Sequence, residues 1–167
     1  MDDEFAPLEP ENGDAGDELE RLAQESLEAE GEQHDTVQAR QRCQRVIDLA
    51  HAGLVQDARD NFHAAWVLIC GDSATHYQLA RYFARRACAL GEPRAWTLRA
   101  MAWDRWLIAV GKPQRFGTQI LKQAGHWSLG AVDPSITDLE RAFFAVPPLY
   151  VQQQRAEQLQ NEEGDEA

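Results

Sequence analysis

Apolar residues recur at helical spacing through the middle of the chain and predict a series of helices. The predicted helices cover residues 36–52, 55–70, 74–90 and 94–110. In the second, Phe62, Ala65, Trp66 and Ile69 follow the i, i+3, i+4, i+7 spacing of one helix face. The fourth is apolar on more than one face, so we expect it to be the most buried.

Glycine, proline and short polar side chains separate these helices. Asp35 or Thr36 suits the first N-cap, and Asp72 or Ser73 suits the third. Gly91-Glu92-Pro93 joins the third and fourth helices by so short a turn that they must pack antiparallel. The phrase ALGEPRAWTLRA is similar to tetratricopeptide or Sel1-like hairpins. No second copy recurs at a fixed period, so we expect that packing without a full repeat array.

The pattern changes after Gly111. The segments QRFGTQIL and HWSLGAV are β-permissive and flank KQAG, which predicts a small β-hairpin. Thr137 and Glu140 then form a capping-box pattern at the start of a short helix, which we expect Pro147-Pro148 to end. The predicted fold is therefore mainly α, built from antiparallel helical hairpins with a small β-hairpin appendage.

Charge divides the chain into three parts. Residues 1–33 carry a net charge of −12, residues 34–155 a net +5, and residues 156–167 a net −5. We expect a single helical domain over 34–155 between disordered acidic tails over 1–33 and 156–167, because the tails are poor in aromatic residues. The tails either solubilise the protein or cover its basic body and compete with an anionic partner.

Several features point to a cytoplasmic protein. The N-terminus is acidic where a signal peptide needs a basic region, and the longest apolar run is too short for a membrane span. Cys43, Cys70 and Cys88 are odd in number and lie in predicted helices, which indicates buried, reduced thiols. We expect a cytoplasmic localisation and no membrane partner. The oligomeric state stays open.

A polar cluster around the segment GKPQRFGTQ, residues 111–119, is the candidate site. Its first three residues are explained as a helix stop: Gly111 accepts a left-handed cap, Lys112 faces the helix dipole, and Pro113 prevents continuation. The remaining candidates are polar side chains that need partners if buried. They are Asp104, Arg105, Gln114, Arg115, Thr118, Gln119, Asp138 and Arg141. Either they form an internal hydrogen-bond network or they line a pocket.

Three of these pieces resemble an uncharacterised bacterial family. DRWLIAVGKPQRFGTQ, Trp127 and DPSITDLERAFFAVPPL are similar to the motifs of domain-of-unknown-function family 6624. The resemblance covers roughly residues 55–150. Phe116 stands where the family has Tyr, and Ile69-Cys70 where many members have Gln-His. The resemblance implies which polar residues cluster, but it implies no reaction.

Other chemistry finds less support. The histidines and cysteines lack metal-ligand spacing, so we predict no metal site and no cofactor. The tryptophans are at helical spacing and suit a core. Arg81, Arg85 and Arg86 suit a solvated face, and the small positive charge of the body argues against nucleic acid.

Three functional hypotheses remain. The leading one is a helical protein-interaction or structural module in which the polar cluster is an internal lock. The alternative is a small enzyme or ligand-binding domain, with Arg105, Arg115 and Gln119 on an anionic or amide-bearing substrate and Asp104 or Asp138 as base. A third is a basic face that binds an anionic partner under control of the tails.

Overall fold

The computed structural model describes residues 12–29 and 35–165, and within those ranges the fold is mainly α with one small β-hairpin. The elements in chain order are α1 (Asn12–Glu28), α2 (Thr36–His51), α3 (Ala58–Ile69), α4 (Ala74–Ala89), α5 (Ala95–Ala109), β1 (Leu121–Gln123), β2 (His126–Ser128), α6 (Asp138–Phe143) and α7 (Leu149–Asp165). This confirms the predicted fold class.

Local capping signals explain where the central helices begin. Asp35 caps α2, accepting hydrogen bonds from the backbone N–H groups of Val37 and Gln38. Ser73 caps α4 in the same way. Helix α3 begins a few residues later than predicted, because Asp57 and Asp60 form a capping box at that point.

Helix α3 lies at the centre of the main core. It packs against α1, α2, α4 and α5, and α4 in turn packs against α5 as the predicted helical hairpin. Eight of the twelve residues of α3 are buried, against five of the fifteen in α5. The expectation that the fourth predicted helix is the most buried was therefore wrong. Each of the five tryptophans keeps some exposure.

The acidic segment before α2 is partly ordered, which corrects the expectation of a disordered tail over 1–33. Residues 12–28 form α1, in which Leu19 and Leu22 are buried against the core. The apolar stripe is too thin to stabilise an isolated helix, but it is enough for one that docks on α3. Residues 1–11 and 30–34 lie outside the described residues.

The C-terminal segment is also helical where the structure describes it. Helix α7 runs through the predicted boundary at residue 155, and it buries Gln152 and Ala156 against the rest of the protein. A side-chain oxygen of Gln160 accepts a hydrogen bond from the backbone N–H of Trp127 in β2, at 2.9 Å. The predicted disordered tail over 156–167 is therefore wrong for residues 156–165, and residues 166–167 lie outside the description.

The segment after α5 forms a second, smaller layer. Strands β1 and β2 pair antiparallel, and the turn between them has positive φ at Ala124 and Gly125, as a two-residue hairpin turn requires. The hairpin is shorter than predicted, because residues 114–120 form a loop. Pro147-Pro148 does not end α6, which stops at Phe143; instead the pair precedes α7.

This layer has its own core. Phe116 and Ala100 pack there with Ile136 and Val146, and Trp103 and Phe144 contact its edge. Among the helices that the structure describes, none combines the length and the apolar character that crossing a membrane requires.

Candidate functional site

Asp104 holds the loop formed by residues 114–119. Its side chain is fully buried on α5. One carboxylate oxygen accepts hydrogen bonds from the backbone N–H groups of Arg115 and Phe116, at 2.7 and 3.0 Å. The other accepts from the backbone N–H and the hydroxyl of Thr118, at 2.9 and 2.8 Å. A buried carboxylate with four donors is fully satisfied.

Gln114 closes the two ends of the same loop. Its amide oxygen accepts from the backbone N–H of Gln119 at 2.8 Å, and its amide nitrogen donates to the carbonyl oxygens of Gln119 and Leu129. The backbone of Gln114 pairs with Ala131 and Asp133. Gly117 has a φ of +75°, and a Cβ there would lie 3.1 Å from Leu149, so glycine suits this position. The loop is tied to the segment that follows β2.

Arg105 and Gln119 connect the loop to the main core. The Nε atom of Arg105 donates to the side-chain oxygen of Gln119 at 2.8 Å, and its Nη1 atom donates to the carbonyl of Ile69. That carbonyl is at the C-terminal end of α3, where the helix dipole favours a cation. The amide nitrogen of Gln119 donates to the hydroxyl of Thr118 at 3.0 Å.

Arg141 holds the loop from the opposite side. It is 2% exposed. Its Nε atom donates to the carbonyl oxygen of Phe116 and its Nη1 atom to that of Ile136, both at 2.9 Å. Nη1 also contacts Asp138 at 3.1 Å, and Asp138 accepts from the backbone N–H of Leu149 at 2.9 Å. Phe116 is thus bonded on its N–H side by Asp104 and on its carbonyl side by Arg141.

The structure therefore brings together seven of the eight predicted site residues. Asp104, Gln114, Thr118, Gln119, Arg105, Arg141 and Asp138 bond to one another or to the 114–119 loop. Arg115 contributes only its backbone N–H to Asp104. Its side chain lies by Trp103 and Glu140 instead and lines a different groove from Arg105 and Gln119, so the structure does not bring the three side chains together.

Part of the network reaches a groove. Arg105 and Gln119 line a groove of about 590 Å³ together with Asp72, Tyr77 and residues of β1 and the end of α5. Asp72 pairs with Arg40, whose guanidinium lowers the pKa of that carboxyl. Asp104 does not line this groove. Its four donors leave the carboxylate committed to the loop and unsuited to act as a base there.

The cysteines have the character of structural thiols. Cys43 and Cys70 are buried as predicted, whereas Cys88 is partly exposed. Burial raises the pKa of the Cys43 thiol to about 12 and also raises the pKa of Cys88. A nucleophilic cysteine needs a lowered pKa, so these environments oppose that chemistry.

Helix α6 has its polarity inverted. Arg141 is its buried side chain, whereas Leu139 and Phe143 are each 71% exposed. Residues four apart lie on the same helix face, so Leu139 and Phe143 form one apolar display. Tyr150 at the start of α7 is also exposed. The helical spacing of Leu139 and Phe143 was visible in the sequence, but nothing local indicated that arginine would occupy the buried side.

The α4–α5 hairpin carries a second feature that the sequence analysis treated as a solvated face. Arg81 and Arg115 contact the Trp103 ring, and Arg85 and Arg99 lie near Arg81. Together they form the arginine–tryptophan surface: Arg81, Arg85, Arg99, Arg115 and Trp103. Partial burial, and then the charges of Arg99, Arg85 and Arg115, lower the pKa of Arg81. Arginine and tryptophan become neighbours through antiparallel packing of two helices, which the individual patterns do not encode.

The acidic helices pair with other basic residues. Glu18 of α1 holds Arg45 through two hydrogen bonds of 2.7 and 2.8 Å, and Glu20 pairs with Arg59. On α7, Glu163 pairs with Lys122 and accepts from the indole N–H of Trp127. The basic partners of these carboxylates, Arg45, Arg59 and Lys122, are not among the residues of the arginine–tryptophan surface.

Comparison with known proteins adds no relative to this picture. Neither a family model nor a curated protein sequence nor a solved structure matches the chain. The resemblance to domain-of-unknown-function family 6624 therefore stays a prediction, and the residues themselves carry the functional argument.

Proposed function

We propose that this protein is a helical protein-binding module that presents α6 to its partner. The observation that carries the proposal is the inverted polarity of α6, with Arg141 inside and Leu139 and Phe143 outside. Exposing two large apolar side chains on one face is unfavourable in water unless a partner covers them. Such side chains are typical anchors of protein interfaces.

In this proposal, the polar cluster is an internal lock that positions α6. Arg141 bonds to the carbonyl of Phe116, whose N–H is held by Asp104 on α5. The display on α6 is thereby connected to the main core through buried hydrogen bonds. A short helix has little stability of its own, so a fixed binding face needs such an anchor.

The test is to replace the two exposed apolar side chains of α6 and to leave the buried polar cluster unchanged. The double variant Leu139→Ser/Phe143→Ser should keep the melting temperature of the parent protein, because both side chains are exposed. The control variant Val37→Ser/Tyr82→Ser removes two large exposed apolar side chains elsewhere, at 58% and 52% exposure. Proteins captured from cells by the tagged parent chain are identified, purified and titrated against each variant.

We expect the α6 variant to weaken binding of the captured partner by at least about tenfold, as loss of a central apolar anchor does. The control variant should bind like the parent protein. If the α6 variant binds the partner as tightly as the control does, the proposal is wrong.

A second candidate function is ligand binding in the groove beside Arg105 and Gln119. The observation that favours it is that the guanidinium and the amide both line a groove of about 590 Å³ with Tyr77 and Asp72. Binding of a carboxylate-bearing compound there should be lost in Arg105→Met and retained in Arg155→Met. A fragment screen by ligand-detected NMR in which no compound distinguishes these two variants would exclude this candidate.

A further inference from the structure

The arginine–tryptophan surface concentrates positive charge, and the carboxylates of Glu140 and Asp133 lie near one of its arginines, Arg115. The guanidinium of Arg81 lies 3.8 Å from the centroid of the Trp103 ring and 5.8 Å from Trp106. Arg115 lies 5.0 Å from the same Trp103 ring. Among the described residues, no carboxylate forms a salt bridge with Arg81, Arg85 or Arg99, and Arg115 contacts Glu140 only at 3.8 Å. Stacking fixes the guanidinium planes while leaving their edges able to donate.

Arg99 has an unused donor at the edge of this surface. Its guanidinium lies 5.3 Å from the Phe144 ring and 5.9 Å from the Trp96 ring, and its buried Nε atom has no hydrogen-bond partner in the described part of the chain. An unpaired buried donor is costly. An oxyanion bound beside Arg99 would reduce the repulsion between neighbouring guanidinium groups, and a small movement of the side chain would let it satisfy the Nε donor as well.

The surface continues into the apolar display on α6. Phe144 directly follows α6, and it contacts Trp96 with ring centroids 5.9 Å apart as well as Arg99. Arg115 approaches Glu140, which belongs to α6 itself. A ligand that covered Leu139 and Phe143 would therefore have the arginines beside it.

We propose that the arginine–tryptophan surface binds an acidic segment of the partner protein, a stretch of Asp and Glu next to apolar residues. The inference rests on the proposed function, since it identifies the kind of partner that α6 would contact. Carboxylates accept paired hydrogen bonds from arginine, which gives geometric specificity as well as attraction. Complementary charge also accelerates association.

Two observations favour an acidic peptide over nucleic acid. Arg81 already occupies a face of the Trp103 ring at 3.8 Å, so that face is not free to stack on a base. The chain carries a net charge of −12. A long polyphosphate extends past the four arginines, and the rest of the protein repels the part that does. A short acidic segment extends less far into that field.

The experiment titrates a fluorescein-labelled peptide of alternating glutamate and leucine against the full chain at low ionic strength. Arg81→Gln/Arg99→Gln should weaken binding by at least about tenfold, because each lost arginine–carboxylate contact is charge-assisted. Arg45→Gln/Arg59→Gln is the matched control with the same change in charge, and it should bind within about twofold of the parent. Arg81→Lys/Arg99→Lys keeps the charge without the planar donors and should bind with intermediate affinity.

Circular dichroism and melting temperature establish that each variant is folded, and the Lys pair alone decides the question if the Gln pair does not fold. The inference is overturned if the peptide does not bind, if the control pair weakens binding as much as the Arg81/Arg99 pair, or if an oligothymidylate of equal length binds more tightly than the peptide. If the captured partner loses binding to the α6 variant but binds Arg81→Gln/Arg99→Gln normally, the proposed function stands and this inference alone fails.

Discussion

The arginines of α2 and α3 and those of α4 and α5 look alike in sequence but differ in their surroundings. Arg45 and Arg59 are paired with carboxylates of α1, whereas Arg81 and Arg99 are partly buried against aromatic rings and form no salt bridge with a described residue. The cause is hydrophobic, because burial of Leu19 decides where α1 docks and therefore which cations its glutamates reach. Apolar docking on one side of the protein thus leaves positive charge uncompensated on the other.

Arg141 has a third kind of surroundings, and its removal should have the largest effect. Arg141 is buried and held by carbonyl oxygens, so Arg141→Met leaves the carbonyls of Phe116 and Ile136 without donors. We expect a loss of about 3–5 kcal/mol in the free energy of unfolding, measured by urea denaturation. Arg155→Met, on the exposed side of α7, loses one hydrogen bond to Gln152 and should change it by about 1 kcal/mol or less. Equal midpoints for the two variants would contradict the lock.

Shortening Leu19 should weaken the docking of α1 and with it the pairing of Arg45 and Arg59. Leu19→Ala removes a fully buried side chain that docks α1, whereas Leu27→Ala trims a leucine that is 48% exposed on the same helix. We expect a loss of about 2–3 kcal/mol for the first variant and little change for the second. Amide hydrogen exchange should show faster exchange along α1 in Leu19→Ala. Unchanged protection there would mean that Leu19 does not dock the helix.

Acid should also lower the stability of the protein, through the buried residue His63 of α3. Burial lowers the pKa of His63 from its ordinary value of 6.5; the charges of Glu20 and Asp60 oppose that shift, and those of Arg59 and Arg94 add to it. Because the folded state disfavours the protonated ring, the unfolded state binds more protons below pH 6.5. Stability should be highest above that pH and should fall as the pH drops toward the folded pKa.

The measurement is the melting temperature as a function of pH. His63→Gln should flatten the decline between neutral and mildly acidic pH, and His51→Gln, on an exposed part of α2, should leave it as in the parent. If His63→Gln declines as steeply as the parent does, the decline has another origin.

The difference between local and distant contacts explains which features of the fold could be predicted from the sequence. Asp35, Ser73 and the pair Thr137–Glu140 act on their own neighbouring backbone, so the helix starts they cap followed from local pattern. Docking of α1 depends on a surface assembled from α2 and α3, and it was missed. The ordered part of the C-terminal segment was missed for the same reason, since its support is β2.

For the candidate site, the sequence identified the members but not their pairing. Asp104 was expected to pair with other side chains; it binds one of them, the hydroxyl of Thr118, but three of its four donors are backbone N–H groups of the 114–119 loop. That choice depends on how the loop curves, which no residue spacing reveals. Stacking of Arg81 on Trp103 and the outward position of Phe143 likewise depend on how helices pack, so both escaped the sequence analysis.

The smallest predicted effects have opposite signs in the two groups of arginines. Arg45→Gln removes an exposed ion pair with Glu18 and should lower the free energy of unfolding by at most about 1 kcal/mol. Arg85→Gln removes a like charge one helical turn from Arg81 and should raise it by about 0.2–0.5 kcal/mol. Arginine and glutamine have similar helix propensities, so the charge accounts for the difference.

Salt provides the control for this pair of variants, because screening weakens attraction and repulsion alike. In urea denaturation at low ionic strength, Arg45→Gln should unfold at less urea than the parent and Arg85→Gln at more. Both differences should shrink at high ionic strength. If Arg85→Gln is destabilised to the same extent as Arg45→Gln, then Arg85 has a stabilising partner and the charge on α4 and α5 is compensated after all. Stabilisation that persists in high salt would assign the effect to packing, and the uncompensated surface would lose its electrostatic basis.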